Sequence, residues 1–162
     1  MIPEMVLQQL EACHYVVKAN VGDVSHEDSL KQPAPAGNCL NWILGHLVAT
    51  RSNLLRGLGA EPVWSEADIE RYDRHGPPIR NAAEAKRIED IWEAYDLSQR
   101  RLRQAVSELT PQHLAATAPF SPANRPDETV GSLLVTFAFH DAYHTGQTGV
   151  LRRLVGMPPK DL

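Results

Sequence analysis

Apolar residues recur at spacings of three and four in four long stretches of this chain, and no segment alternates apolar and polar residues as a half-buried strand would. The first stretch covers residues 3–20, with Met5, Leu7, Leu10, Cys13, His14 and Val17 recurring at helical rather than strand period and Pro3 suited to a first helical turn. The second covers residues 40–56. Its stripe is Ile43, Leu47, Leu54 and Leu58, widened by Trp42, Leu44 and Val48; Asn38 stands where an N-cap would, and Gly57 and Gly59 end it. The third begins near Ala82, because Asn81 and Glu84 have the N-cap and N3 spacing of a capping box. Ile88, Ile91, Trp92, Tyr95, Leu102, Val106 and Leu109 form its apolar face, and Thr110-Pro111 stops it. The fourth runs from 129 to 155, closed by Gly156 and then Pro158-Pro159.

The connections carry Pro and Gly: Gly22, Pro33, Pro35 and Gly37 in residues 21–37, and Pro119, Pro122 and Pro126 before the fourth helix. The segment 58–80 is longer than most connections in compact domains, with a short helical piece expected from Glu66 to Tyr72; such segments tend to be lids or binding surfaces. Four long amphipathic helices predict an all-α four-helix bundle, as one domain spanning residues 1–162.

Composition sharpens this only in part. A chain of 162 residues with 43% hydrophobic residues needs no disulfide or metal merely to fold. The net charge of −4 and scattered basic residues argue against nucleic acid as a partner. No apolar run approaches the roughly 20 residues that span a bilayer, and the N-terminus has no basic segment followed by an apolar core, so no membrane partner is expected and the expected location is cytoplasmic. Two cysteines, Cys13 and Cys39, make no disulfide framework and read as small buried apolar groups.

The chemistry concentrates in the fourth helix, FAFHDAYHTGQTGVLRRL. His140 and His144, four residues apart, project from one face. They lie on the stripe Leu133, Phe137, His140, His144, Gln147 and Leu151, the spacing of a core-facing seam. Two adjacent buried imidazoles need hydrogen bonds or a metal, and burial beside one another disfavours their protonated forms. A divalent ion meets both needs, since neutral imidazole nitrogen is a good ligand. In the second helix Ile43, His46, Thr50 and Asn53 share a stripe, so His46 is placed to supply a third ligand from a neighbouring helix. Three protein ligands leave a position open, as catalytic zinc sites do. His14 reads as structural, and His26, His75 and His113 as solvated.

The pieces NWILGHL and HDAYHTGQ, in this order and at this separation, with LTPQHL between them, resemble the DinB/YfiT-like metal-binding proteins over most of the chain. The resemblance implies a four-helix bundle with one long crossover. It implies a divalent transition metal, zinc or nickel foremost, held by His46, His140 and His144, with Gln147 matching the family's frequent Gln after the second histidine of the pair. Homodimers are common in that family. Its members include transferases that join low-molecular-weight thiols to acceptors.

Three readings of function follow, in this order. The first is a metal-dependent enzyme that activates a small thiol or water, most of all a thiol transferase, with Gln147 contacting the substrate. The second is a metal-dependent hydrolase. HDAYH has the spacing of HExxH, with Asp141 where the general base would stand, although Asp is shorter than Glu and lies about 100° around the helix from His140. The third is a non-enzymatic metal-binding or dimerisation module. Tyr143 and Asn41 are lesser candidates for polar contacts, and Trp42, Trp64 and Trp92 read as core or interface anchors.

Overall fold

The four periodic stretches become four long helices in the computed structural model, which describes residues 2–34 and 37–161. They are α1 (Ile2–Val21), α3 (Leu40–Gly57), α5 (Ile88–Ser107) and α7 (Val130–Leu154). Three short helices lie between them: α2 (His26–Ser29), α4 (Glu66–Arg71) and α6 (Pro111–Ala115). The described residues form no strand. None of their helices is long and apolar enough to cross a membrane. Pro35, assigned to a loop by sequence, lies outside the described residues.

The long helices pack α1 on α7, α7 on α3, α3 on α5 and α5 on α1, a closed ring around one axis. Leu10 and Val17 of α1, Leu44, Leu47, Leu54 and Leu55 of α3, Ile91 and Leu102 of α5, and Leu133 and Leu134 of α7 are sealed from solvent. The connections from α1 to α3 and from α5 to α7 therefore join opposite corners of the ring. The long segment 58–87 joins neighbours.

Helix ends explain the departures from the periodic pattern. Asn38 does not cap α3: Cys39 holds the N-cap position, with no side-chain hydrogen bond. Asn81 caps a three-residue 3-10 turn, Ala82–Glu84, instead of the third long helix. Ala85 is extended after that turn, and the Lys86 N–H donates to the Tyr72 hydroxyl at 2.8 Å, so α5 starts at Ile88. α6 has a Thr110 cap with His113 completing the box and Pro111 in the first turn, so Thr110-Pro111 ends one helix by starting another. Thr129 caps α7 with Ser132 in the reciprocal position, and Gly156 at φ +88° ends it.

One glycine fixes how α3 meets the long connection. Tyr72, just after α4, lays its ring against Gly45; a Cβ built at residue 45 would lie 2.1 Å from Tyr72 Cδ1. The Tyr72 hydroxyl donates to Asn41 Oδ1 at 3.0 Å, which pins the ring to the same helix. Gly45→Ala should therefore lower stability by about 1–3 kcal/mol, the range for overpacked sites. Urea unfolding checks this, and a wild-type midpoint would show that Tyr72 is not held where the contact demands.

Candidate metal centre

α3 and α7 bring the three histidines singled out by sequence to one point. His46 is 4% exposed and His144 9% exposed. His46 Nε2 and His140 Nε2 are 3.2 Å apart. The available ring nitrogens of all three residues fall within 4.8 Å of one another. Ligands at 2.0–2.1 Å in tetrahedral geometry would stand about 3.3 Å apart, so the closest pair already has a ligand-to-ligand separation.

Each ring is oriented by a neighbour. The His46 Nδ1–H donates to the Tyr72 carbonyl at 2.8 Å, and the Trp42 indole stacks on the imidazole with centroids 4.6 Å apart and planes 10° from parallel. The His144 Nδ1–H donates to Gln147 Oε1 at 2.7 Å. These bonds fix the tautomer that leaves Nε2 free, the arrangement in which an outer carbonyl orients a metal-ligating imidazole. His140 Nδ1 is buried without a partner among the described residues.

Burial makes the site electrically neutral. Desolvation pulls the pKa of His46 down to about 4, helped by His144 and opposed by the Tyr72 hydrogen bond. Desolvation and then the two neighbouring imidazoles pull His140 down to about 3. Desolvation also lowers His144, against the Gln147 hydrogen bond. Three neutral imidazoles, two with their tautomer fixed, are a donor set for a borderline-soft divalent ion such as zinc or nickel. The residues fit the group that the resemblance implies.

The histidines border an open cavity of about 1030 Å³. Trp42, Ile43, Phe137, Phe139 and Tyr143 give it apolar walls, while Thr50, Asn53 and Gln147 add polar groups. Gln147 thus touches His144 and the cavity at once, and its amide N–H groups have no partner among the described residues. Tyr143 is 58% exposed, at the cavity's rim. Asn41 faces away, donating to the Lys86 carbonyl and accepting from Tyr72.

Asp141 stands elsewhere. Its carboxylate is 0% exposed, pairs with Arg51 at 2.5 Å and does not line the cavity. Arg51, also fully buried, donates further to Tyr95 Oη at 3.1 Å and Ser98 Oγ at 3.3 Å and lies 4.1 Å from the Tyr95 ring centre. The HExxH-like spacing therefore places this carboxylate in the bundle core, paired with Arg51 and away from the cavity that the histidines border.

The remaining histidines have structural partners. His14 bonds Asp96 at 2.9 Å and stacks on Tyr95. His26 Nδ1 accepts from the Ile88 N–H, His75 from Arg74, and His113 completes the α6 cap. Both cysteines are buried and free, and burial raises both thiol pKa values. Sequence reasoning missed the Tyr72 carbonyl, which carries no side-chain signal, and the role of Trp42. The i, i+4 spacing of Trp42 and His46 would have placed those two rings together.

A ring of long helices around convergent imidazoles defines a helical bundle able to hold a metal ion between α3 and α7. The chain belongs to the DinB superfamily, whose pattern matches residues 9–148. A crystal structure of a conserved protein from Enterococcus faecalis superposes with a TM-score of 0.73 over 94% of this chain and 95% of that one, at 16% identity, a likeness of fold alone. A search of curated proteins finds no match.

The neutral imidazoles set a pH dependence. In the unfolded chain each takes up a proton near pH 6.5, whereas in the metal-free native state His46 stays neutral to about 4 and His140 to about 3. Below pH 6.5 the unfolded state therefore binds more protons, and stability falls with pH by up to about 1.4 kcal/mol per unit for each such histidine. More than about one unit above 6.5 they contribute almost nothing to the slope. With chelator present, urea midpoints should change little from about pH 8.5 to 7.5 and fall with increasing steepness from about 7.5 to 5, a window above the carboxylates. His14, also lowered, adds to the drop. A variant carrying His46→Asn and His140→Asn should show a shallower slope; an equal slope would mean these imidazoles are not kept neutral.

Proposed function

We propose that this chain is a metal-dependent enzyme of the DinB type, in which His46, His140 and His144 hold one divalent transition ion, zinc or nickel, and a small thiol is joined to an electrophilic acceptor. The observation that carries this reading is the convergence of three neutral, oriented imidazoles on the wall of an open, largely apolar cavity. A dication held there supplies positive charge that favours the deprotonated form of a thiol or water placed beside it. A thiol starts near pKa 8.5, so it needs less help than water.

The chain's own groups do the rest. The Tyr72 carbonyl and Gln147 Oε1 hold the outer N–H groups of His46 and His144, so two imidazoles need no reorganisation on binding. Trp42 and Phe137 keep bulk water from one side of the rings. The free N–H groups of Gln147 are placed to donate to an oxygen of the substrate. The thiol proton leaves to solvent, sulfur bonds to the acceptor carbon, and the leaving group departs with its electron pair. The hydrolytic alternative with Asp141 as base lacks this support, because that carboxylate is committed to Arg51.

Protein purified without an affinity tag should contain about one zinc or nickel per chain by elemental analysis, and a His140→Ala, His144→Ala variant none. With an electrophile added, wild type should consume free thiol from a panel of small thiols and the variant should fall to background. Equal metal content in the two would remove the site. Metal without thiol consumption would remove the transferase reading and leave a binding or structural role.

The partner we propose is a second copy of this chain. Val135, Phe139, Tyr143, Val150 and Leu154 are large apolar side chains left 53–69% exposed on one face of α7. Four of them, Phe139, Tyr143, Val150 and Leu154, are spaced symmetrically about a point beside Gly146, where a Cβ would meet nothing among the described residues. A two-fold axis there would set Tyr143 against Val150 of the other copy and Phe139 against Leu154, a self-complementary contact. Phe139, Tyr143, Val150 and Leu154 also line the cavity, so the second copy would wall its open side. Sedimentation should show a dimer at micromolar concentration, and Val150→Glu a monomer that keeps its metal. A wild-type monomer up to about 100 µM would sink this pairing, since a dissociation constant above that corresponds to only about 5 kcal/mol.

A further inference from the structure

The segment after α4 meets the cavity twice. Tyr72 is pinned by its ring against Gly45, by its hydroxyl, and by its carbonyl on His46. Two residues on, Arg74 lines the same cavity as the three histidines. Arg71 steadies this turn by donating to the Pro77 carbonyl at 2.5 Å and the Glu84 carbonyl at 3.1 Å.

Arg74 is the one cationic side chain among the described residues lining that cavity, and its charge acts against protonation of both His46 and His140. Its Nε donates to His75 Nε2 at 3.0 Å. Its two terminal nitrogens have no acceptor among the described residues. The other charged lining residue, Asp73, turns Oδ1 to the His75 N–H at 3.0 Å. The cavity thus offers a guanidinium fork with open donors, apolar walls, and the imidazole cluster.

We propose that Arg74 recognises a carboxylate on the small molecule that enters this cavity, so that the ligand class is an apolar thiol bearing one carboxylate away from its sulfur. The thiol clause rests on the function proposed above; the carboxylate clause rests on Arg74. A guanidinium fork matches a carboxylate in two parallel hydrogen bonds. Asp73 beside it disfavours a doubly charged phosphate, which makes the singly charged group the better fit.

Two titrations separate the clauses. Cobalt-substituted protein is titrated with 6-mercaptohexanoate and with its amide, following the thiolate-to-cobalt absorption band. Metal-free protein is titrated with 4-phenylbutyrate and its amide, following tryptophan fluorescence, with Trp42 as the cavity's reporter. In wild type each acid should bind about tenfold or more tighter than its amide, the value of a charge-assisted hydrogen bond. Arg74→Gln should bring that ratio close to one in both titrations, and Arg74→Lys should keep part of it. Arg74 is exposed and its side chain holds only His75, so the variant keeps the native fold. A ratio near one in wild type, or an unchanged ratio in Arg74→Gln, overturns the carboxylate assignment. A preserved 4-phenylbutyrate preference with no cobalt band from either thiol supports Arg74 and overturns the thiol reading alone.

Discussion

The ion pair between Arg51 and Asp141 ties together the two helices that carry the histidines. Both side chains are fully out of solvent, one on α3 and the other on α7. Burying two charges costs several kcal/mol per ion before any gain, so such a pair is poor evidence for stability in itself. Its consequence is different. Once both charges are inside, α7 can turn or slide only by stripping a buried carboxylate of its partner, a loss of about 3–5 kcal/mol. Tyr95 and Ser98 extend the demand to α5 by accepting from the same guanidinium, so three of the four long helices are keyed to one group. Asp141 lies directly after His140 and three residues before His144. The rotation that satisfies Arg51 is therefore the rotation that turns both imidazoles toward His46.

The neighbourhood of the histidines completes what the ion pair begins. The buried ion pair stands on one side of α7 and the imidazoles on another. Around the imidazoles the walls are Trp42, Ile43, Phe137 and a backbone carbonyl, which desolvate the rings and keep them neutral; the pull of Asp73 on His46 and of Asp141 on His144 is weaker than that desolvation. A histidine beside a carboxylate, as His14 is beside Asp96, is held by that partner; these three are held by a carbonyl, an amide and each other. The orphaned Nδ1 of His140 belongs to the same pattern, a buried polar atom whose ring is committed through its other nitrogen.

How much of this could be read from residues alone depends on what kind of force set each feature. The long helices and their buried faces were legible because burial imposes a period, and Leu44, Leu54 and Leu102 obey it. The convergence of His46, His140 and His144 was legible for the same reason, since all three sit at seam positions. Helix ends were less so. Asn81 has cap chemistry and does cap, but Tyr72 takes the Lys86 N–H from across the connection and delays α5 to Ile88, a tertiary bond that no local pattern announces. The 3.6-residue period also left Asp141 ambiguous: the seam runs through His140 and His144, and a charged residue just beside it reads as solvent-facing unless Arg51 is known to lie opposite. Tyr72 contributes a carbonyl, which every residue owns.

The imidazole cluster and the outer cavity walls come from different parts of the chain, and this bears on how far family membership carries function. The three histidines, Trp42 and Gln147 stand on α3 and α7, rigid elements whose relative position the buried ion pair fixes. The outer walls add Pro33, Asp73, Arg74 and Phe120 from connections, where sequence can change without disturbing the helices. A protein that shares 16% of its residues with this chain can therefore share its fold over nearly the whole length while presenting other groups at those connections. Reaction and substrate are set by the site grafted on the fold, so the residues that distinguish this chain from its relatives are to be sought at the turn holding Arg74 and the loop holding Phe120. The Tyr72 carbonyl links the two parts, because the turn that presents Arg74 to the cavity also orients His46.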